Sequence, residues 1–342
     1  MKVLVTGSKG YIGSVLTEEL IKKKYDVVGL DTGYFLDCAI GKLEENYKFF
    51  NKDIRDIQEE DLKGIEAVIH LAALSNDPLG EFNPQLTEEI NLKGTIKFAT
   101  LCKSQGIGRF IYVSSQSMYG ISNIDTELDE YKSEKNPITS YAKTKWEAEQ
   151  ELNKMCDQHF CVVSFRPSTV FGFSPRLRCD IVFNSFVACA YTTQLIEVKS
   201  DGTPWRPVIH IKDVCKALLI GLEAPKNNLN GNSYNIGYKN GNYSVRELAE
   251  AASRSIPGSK LLFTGEHVDS RTYRVSFKRI FEELGEWFKP DWDLDKGAQE
   301  LVKAFDKVNF NEETFRGMKT NRLIKLKHLS SQNKLDSDLR WI

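Results

Sequence analysis

The strongest constraint on this chain lies close to its N-terminus. An apolar run over residues 2–6 leads into Thr6-Gly7-x-x-Gly10-x-x-Gly13, and a helical pattern continues to about residue 24. Glycines at these spacings permit a tight strand-to-helix turn, let backbone approach a pyrophosphate, and seat the helix against the strand. The helix start then offers unpaired N–H groups to phosphate oxygens. The candidates at this turn are Gly7, Gly10, Tyr11, Ile12 and Gly13. A second apolar run over 27–30 ends at Asp31. An acid there accepts hydrogen bonds from ribose hydroxyls and repels a 2′-phosphate, which favours NAD over NADP as cofactor. Glycine spacing alone would fit any Gly-rich turn; the strand before it, the helix after it and Asp31 carry the reading.

The same alternation continues. Short apolar runs at 47–50, 67–71, 109–113 and 160–165 read as strands, and 83–105 as a helix. A further helix starts near Thr139 or Ser140, with Ala148, Leu152, Met155 and Cys156 as its apolar stripe. Strands alternating with helices predict an α/β fold, a doubly wound parallel sheet of Rossmann type. After Arg166-Pro167 the rhythm loosens. A strand is expected at 208–210, a helix at 212–222, and another opened by the capping-box pattern Ser244-Val245-Arg246-Glu247. Residues beyond about 294 read as surface helices. The expected organisation is a cofactor domain of 1–167, to which 208–236 returns, and a smaller substrate lobe of 168–207 and 237–342 that ends in a helical extension.

Composition excludes several functions. Lys plus Arg total 46 and Asp plus Glu 47, a net charge of −1, so no field steers nucleic acid or an anionic membrane. The longest apolar-leaning stretch, 181–191, is too short to cross a bilayer. Seven scattered cysteines form neither a CxxC pair nor a zinc-spaced cluster, which predicts reduced thiols and no metal. The first residues lack the pattern of a cleavable leader, so a cytoplasmic protein is expected.

Chemistry is expected where a tyrosine and a lysine are four residues apart, because i and i+4 share a helix face and a nearby cation favours phenolate. Two pairs have this spacing, Tyr131/Lys135 and Tyr141/Lys145. Pro137 disfavours helix at Asn136, so the first pair lies in a charged loop. The second lies in the first turns of a patterned helix, and Ser115 follows the strand at 109–113, where open α/β sheets bind ligands.

The ordered set Thr6-Gly7-x-x-Gly10-x-x-Gly13, Asp53-Ile54-Arg55-Asp56, His70-Leu71-Ala72-Ala73, Asn91-x-x-Gly94-Thr95, Ser114-Ser115-x-x-x-Tyr119-Gly120, Tyr141-x-x-x-Lys145 and Arg166-Pro167-x-x-x-Phe171-Gly172 resembles the extended short-chain dehydrogenase/reductase family, in its nucleotide-sugar epimerase/dehydratase branch. The resemblance covers roughly residues 1–290. It implies that Asp53 and Ile54 flank the adenine, that Leu71, Ala72 and Ala73 line the cofactor, and that Asn91 holds the neighbouring loop. It assigns Tyr141 as the base at a sugar hydroxyl and Ser115 as its proton relay. Lys145 lowers the tyrosine's pKa and binds the nicotinamide ribose, so Tyr141 and Lys145 also count as cofactor residues. It implies a nucleotide-diphosphate sugar as partner, held by Ser75, Ser117, Thr169, Asp180, Arg206 and Arg271, with Arg176, Arg178 and Arg274 as weaker candidates. It also implies a homodimer through the helices near 84–105 and 139–156.

One local departure narrows the activity. Sugar 4,6-dehydratases resemble one another in an Asp-Glu pair after the serine; here Gln116-Ser117 stand there, and neither does general acid/base work near pH 7. The expected function is NAD-dependent epimerisation by transient oxidation of a sugar hydroxyl. A 4-ketoreductase or dehydrogenase is the alternative; a dehydratase or a dinucleotide-sensing binding protein is less favoured. Thr169 stands where many epimerases have asparagine, and Pro207 follows Arg206 in place of a common acid. Both alter the expected grip on substrate.

Overall fold

A computed structural model of the chain describes residues 1–265 and 272–342. The strands, in chain order, are β1 (Lys2–Thr6), β2 (Asp26–Asp31), β3 (Lys48–Asn51), β4 (Ala67–His70), β5 (Arg109–Val113), β6 (Glu127–Leu128), β7 (Cys161–Pro167), β8 (Thr169–Phe171), β9 (Leu195–Val198), β10 (Trp205–His210), β11 (Asn232–Ile236), β12 (Asn242–Ser244), β13 (Lys260–Phe263) and β14 (Arg274–Val275). Seven of them form one parallel sheet in the order β11-β7-β5-β4-β1-β2-β3. The order reverses between β1 and β4, and that switch point is where an open α/β sheet takes its ligand.

Side-chain alternation gives each face its own core. Val3, Val5, Ile69, Ile111 and Val163 pack beneath the helices Tyr11–Lys22 and Ile211–Glu223. Leu4, Val28, Val68, Phe110 and Val162 face the opposite layer, which includes Thr95–Ser104 and Ser140–Lys154. Burial on both faces is why the parallel strands read as continuous apolar runs rather than alternating ones.

The long helix expected over 83–105 is a helical run with a wide turn in its middle: Pro84–Thr87, then a π-helical Glu88–Gly94, then Thr95–Ser104. The span 208–236 divides. β10 pairs with β8 and β12 in a separate three-stranded sheet, whereas the helix Ile211–Glu223 packs on the main sheet and β11 is its edge strand. The capping box at Ser244 forms and opens the helix Val245–Arg254. The extension folds into helices Leu294–Lys307, Glu312–Arg316 and Arg322–Ser331. The last of these is more than a surface helix. Leu326 and Leu329 are in the core with Leu4 and Val28, and Arg322 and Lys325 are buried. Among the described residues no helix is long and apolar enough to cross a membrane, and no group of His, Cys, Asp or Glu side chains could hold a metal ion.

Candidate functional site

A cleft of about 760 Å³ runs over the carboxyl ends of the main strands. At one end the turn after β1 forms its floor. Gly7 has φ of +71°, and a Cβ there would lie 2.9 Å from the Ala72 backbone nitrogen. A Cβ on Gly13 would lie 2.1 Å from the Gly7 carbonyl oxygen, so this turn closes only without side chains. Gly10 caps the following helix with no side-chain hydrogen bond, which leaves the first N–H groups facing the cleft. Ile12 lines the cleft. The Tyr11 phenol is turned into the core, donating to the Gly172 carbonyl at 2.7 Å and accepting from Asn184 Nδ2 at 3.1 Å. Only the backbone of Tyr11 is therefore available to a ligand.

Asp31 ends β2 at the cleft wall and accepts from the Gly33 and Lys9 N–H groups at 2.9 and 3.1 Å. Burial raises its pKa, partly offset by those two bonds. Leu71, Ala72 and Ala73 continue β4 along the floor, and Ser114 Oγ is buried there without a partner. These features suit a dinucleotide: a side-chain-free turn at an uncapped helix start, an acid beyond β2 for ribose, and an apolar floor. Asn91 lies behind the wall. Its side chain accepts from Leu74 N at 2.8 Å and donates to Leu74 O at 3.2 Å, fixing the loop after β4 from outside the cleft. Asp53 and Ile54 line the cleft, but the Asp53 carboxylate is held by Arg55 Nε at 3.0 Å and Nη2 at 2.7 Å. Burial would raise its pKa, and the Arg55 bonds hold it below the usual carboxylate value.

Ser115, Tyr141 and Lys145 meet at the other end of the cleft. Ser115 caps the short turn Gln116–Tyr119, its Oγ accepting from Ser117 N at 3.1 Å and lying 2.8 Å from Ser117 Oγ. Thr139 caps the helix Ser140–Lys154, which sets Tyr141 in its first turn. Burial pushes the Tyr141 phenol up to about 12, against a hydrogen bond with the Ser115 side chain that lowers it. Lys145 shares the helix face, yet its ammonium donates to the Val113 carbonyl at 2.5 Å and lies 4.5 Å over the Tyr112 ring. Burial lowers its pKa to about 7. The cation is thus engaged by backbone, and the phenol is not depressed by it in this geometry. Tyr131, by contrast, is exposed outside any helix, and Lys135 donates to the Glu130 and Ser133 carbonyls.

Of the expected substrate residues, Ser75, Ser117, Thr169, Asp180 and Arg206 all line the same cleft. Arg206 Nη1 donates to the Trp205 carbonyl at 2.7 Å. Arg271 lies outside the described residues. Arg178 is more central than its sequence position suggested: it grips Asp180 through Nε at 2.8 Å and Nη2 at 3.0 Å, and donates to Ser75 Oγ at 3.1 Å. Arg176 points elsewhere, to the Phe35 and Leu36 carbonyls. Arg274 packs on the Trp205 ring at 5.0 Å. Gln116 is buried, and its amide is used up: Nε2 donates to the Arg166 and Ile236 carbonyls, and Oε1 accepts from Ser168.

Several cleft residues escaped the sequence reading. Asn76, Asp77, Tyr34 and Arg322 all line it. Asn76 adopts φ 103°, ψ 162°, a backbone region that costs a non-glycine residue roughly 1–3 kcal/mol, while its side chain caps the turn Asp77–Gly80. The Asn-Asp-Pro string was a visible turn signal. Arg322 had none, since it reaches the cleft from the far end of the chain.

Fold and cleft together have the form of a dinucleotide-binding α/β enzyme, with Ser115, Tyr141 and Lys145 gathered at one end of the cleft. Residues 3–237 match the model of the NAD-dependent epimerase/dehydratase family. The chain belongs to that family, and NAD is its cofactor. It is 28% identical over 315 residues to a putative UDP-glucose 4-epimerase of Methanocaldococcus jannaschii, covering 88% of this chain and 97% of the relative. It is 32% identical over 341 residues to a bovine (Bos taurus) dTDP-D-glucose 4,6-dehydratase, covering 89% and 93%. A UDP-glucuronic acid 4-epimerase from Bacillus cereus, solved with UDP-glucuronic acid and NAD, superposes with a TM-score of 0.76 at 24% identity, over 90% of this chain and all (100%) of that one.

Proposed function

We propose that this enzyme is an NAD-dependent nucleotide-sugar epimerase that oxidises a sugar hydroxyl and reduces the resulting ketone from its other face. NAD supplies the acceptor and then the donor of hydride. Ser115 and Tyr141 would share a hydrogen bond with the reacting sugar oxygen, Tyr141 taking its proton as phenolate and Ser115 relaying it. Lys145 would leave the Val113 carbonyl for the nicotinamide ribose, which carries its charge towards the phenol. Gly7, Gly10, Gly13 and the N–H groups of Tyr11 and Ile12 would hold the pyrophosphate, and Asp31 the adenosine ribose. Arg206 and Arg178, with Thr169, are the groups best suited to the diphosphate and sugar of the substrate.

One observation favours epimerisation over elimination. A dehydratase needs a base at the carbon beside the ketone and an acid at the hydroxyl that leaves from the next carbon, and the position after Ser115 holds an amide tied to Arg166, Ile236 and Ser168. Ser117 offers only a hydroxyl.

The test is to incubate the protein with UDP-, dTDP-, GDP- and CDP-sugars and follow products by NMR. An epimer formed without net nicotinamide consumption is expected. A 4-keto-6-deoxy product would overturn the reading in favour of dehydration, and stoichiometric nicotinamide turnover would favour the ketoreductase. We also infer a homodimer through the helical run 84–104 and the helix Ser140–Lys154, checked by sedimentation.

A further inference from the structure

The extension beyond residue 294 reaches the cofactor cleft. Its last helix, Arg322–Ser331, starts at the cleft wall, where Arg322 is 2% exposed and donates from Nη2 to the Arg176 carbonyl at 2.7 Å. The Arg322 guanidinium lies 4.6 Å over the Phe35 ring. Burial and the neighbouring Arg178 charge lower its pKa to about 10.

Beyond this helix the chain turns back, with Leu335 bridging to Trp341. The final residues then run along the loop that follows Asp31. Trp341 Nε1 donates to the Thr32 carbonyl at 2.6 Å. Tyr34 Oη donates to the Leu339 carbonyl at 2.5 Å, and the Tyr34 and Trp341 rings are 5.9 Å apart. On the next loop, Arg55 Nη2 donates to the Asp338 carbonyl at 2.9 Å, and Arg340 pairs with Asp56 and, at 3.5 Å, with Asp53. Thr32, Tyr34, Phe35 and Asp53 all line the cleft beside Asp31. The last turn of the chain therefore bonds to two separate loops that make one wall.

Residues 32–35 of the first loop form neither helix nor strand, and fixing such backbone costs conformational entropy. A wall already held by the strap spares the ligand that ordering cost on binding. We propose that the C-terminal strap, from Arg322 to Trp341, is a positioning element of the cofactor site that sets the affinity for the adenosine half of NAD.

The strap residues lie outside the chemistry, so binding rather than turnover is the readout. NAD and ADP-ribose would be titrated by calorimetry into nucleotide-stripped wild type and into Arg340→Ala/Trp341→Ala, alongside thermal unfolding without ligand. Expected is a loss of tenfold or more for both ligands, with the ligand-free melting temperature little changed. Affinities within threefold of wild type would overturn the proposal. If the double variant unfolds, Trp341→Phe decides, since it keeps an aromatic ring at this position while removing the indole N–H to Thr32. Weaker NAD and ADP-ribose binding by about fivefold at unchanged melting supports the strap; unchanged affinity sinks it.

Discussion

The Lys145 ammonium donates to the carbonyl of Val113, the last residue of β5, at 2.5 Å. This bond joins the helix that carries Tyr141 to the strand that delivers Ser115. It also keeps a buried cation away from the phenol it is expected to serve.

That burial predicts a pH dependence. Lys145 has a folded pKa of about 7 against an ordinary 10.5. Between those values the unfolded chain keeps a proton that the folded chain releases, so this group makes stability rise with pH above 7. Below 7 its penalty is constant. In urea unfolding of nucleotide-stripped protein, the stability difference between wild type and Lys145→Met should change by up to about 1.4 kcal/mol per pH unit between 7 and 9. Parallel pH profiles for the two proteins would contradict the assignment.

Tyr141 with a pKa of about 12 is no base at neutral pH. Alkaline absorbance titration, read as wild type minus Tyr141→Phe, should place its ionisation near 12 in stripped protein and clearly lower once NAD is added. Tyr141→Phe should lose roughly 10²- to 10⁴-fold in kcat, the usual worth of a positioned acid/base group. NAD affinity should stay within a few-fold, because the proposed role of the phenol is at the sugar hydroxyl.

Gly13→Ala should act on binding first. The added methyl would meet the Gly7 carbonyl at 2.1 Å and Ser8 Cα at 2.8 Å, both backbone. Neither can step aside without opening the turn. Calorimetry should show NAD affinity falling more than tenfold, together with a lower melting temperature. An alanine variant that binds normally would remove the pyrophosphate role from this turn.

Glu149 and Arg166 form a fully buried ion pair, Nε reaching both carboxylate oxygens at 3.1 Å, with Ser233 donating to the same carboxylate at 2.7 Å. Glu149→Gln leaves the Arg166 charge buried and uncompensated, at a cost of about 3–5 kcal/mol. Chemical denaturation should show that loss, and Arg166 links it to the active end through Gln116, which donates to the Arg166 carbonyl.

Much of this protein was legible in short-range pattern. The strand-turn-helix at Gly7 to Gly13, the acid ending β2, and the Tyr141/Lys145 face all follow from local periodicity and steric rules that act over a few residues. The Tyr131/Lys135 pair was separable from sequence because Pro137 sets a local backbone limit. What stayed hidden has one character: partners far apart along the chain. Arg178 reaches Ser75, Gln116 reaches Ile236, and Arg340 reaches Asp56 across 284 residues. Sequence alone determined the alternating strands and helices and a Gly-rich strand-turn-helix followed by an acid-ended strand, since those rules act over a few residues. Only the tertiary structure decided that Lys145 would rest on Val113, that Gln116 would be a tether, and that residues 338–341 would bond to the loops that hold Thr32, Arg55 and Asp56. Those bonds exist only after the sheet and its layers have brought distant segments together, and no local propensity encodes them.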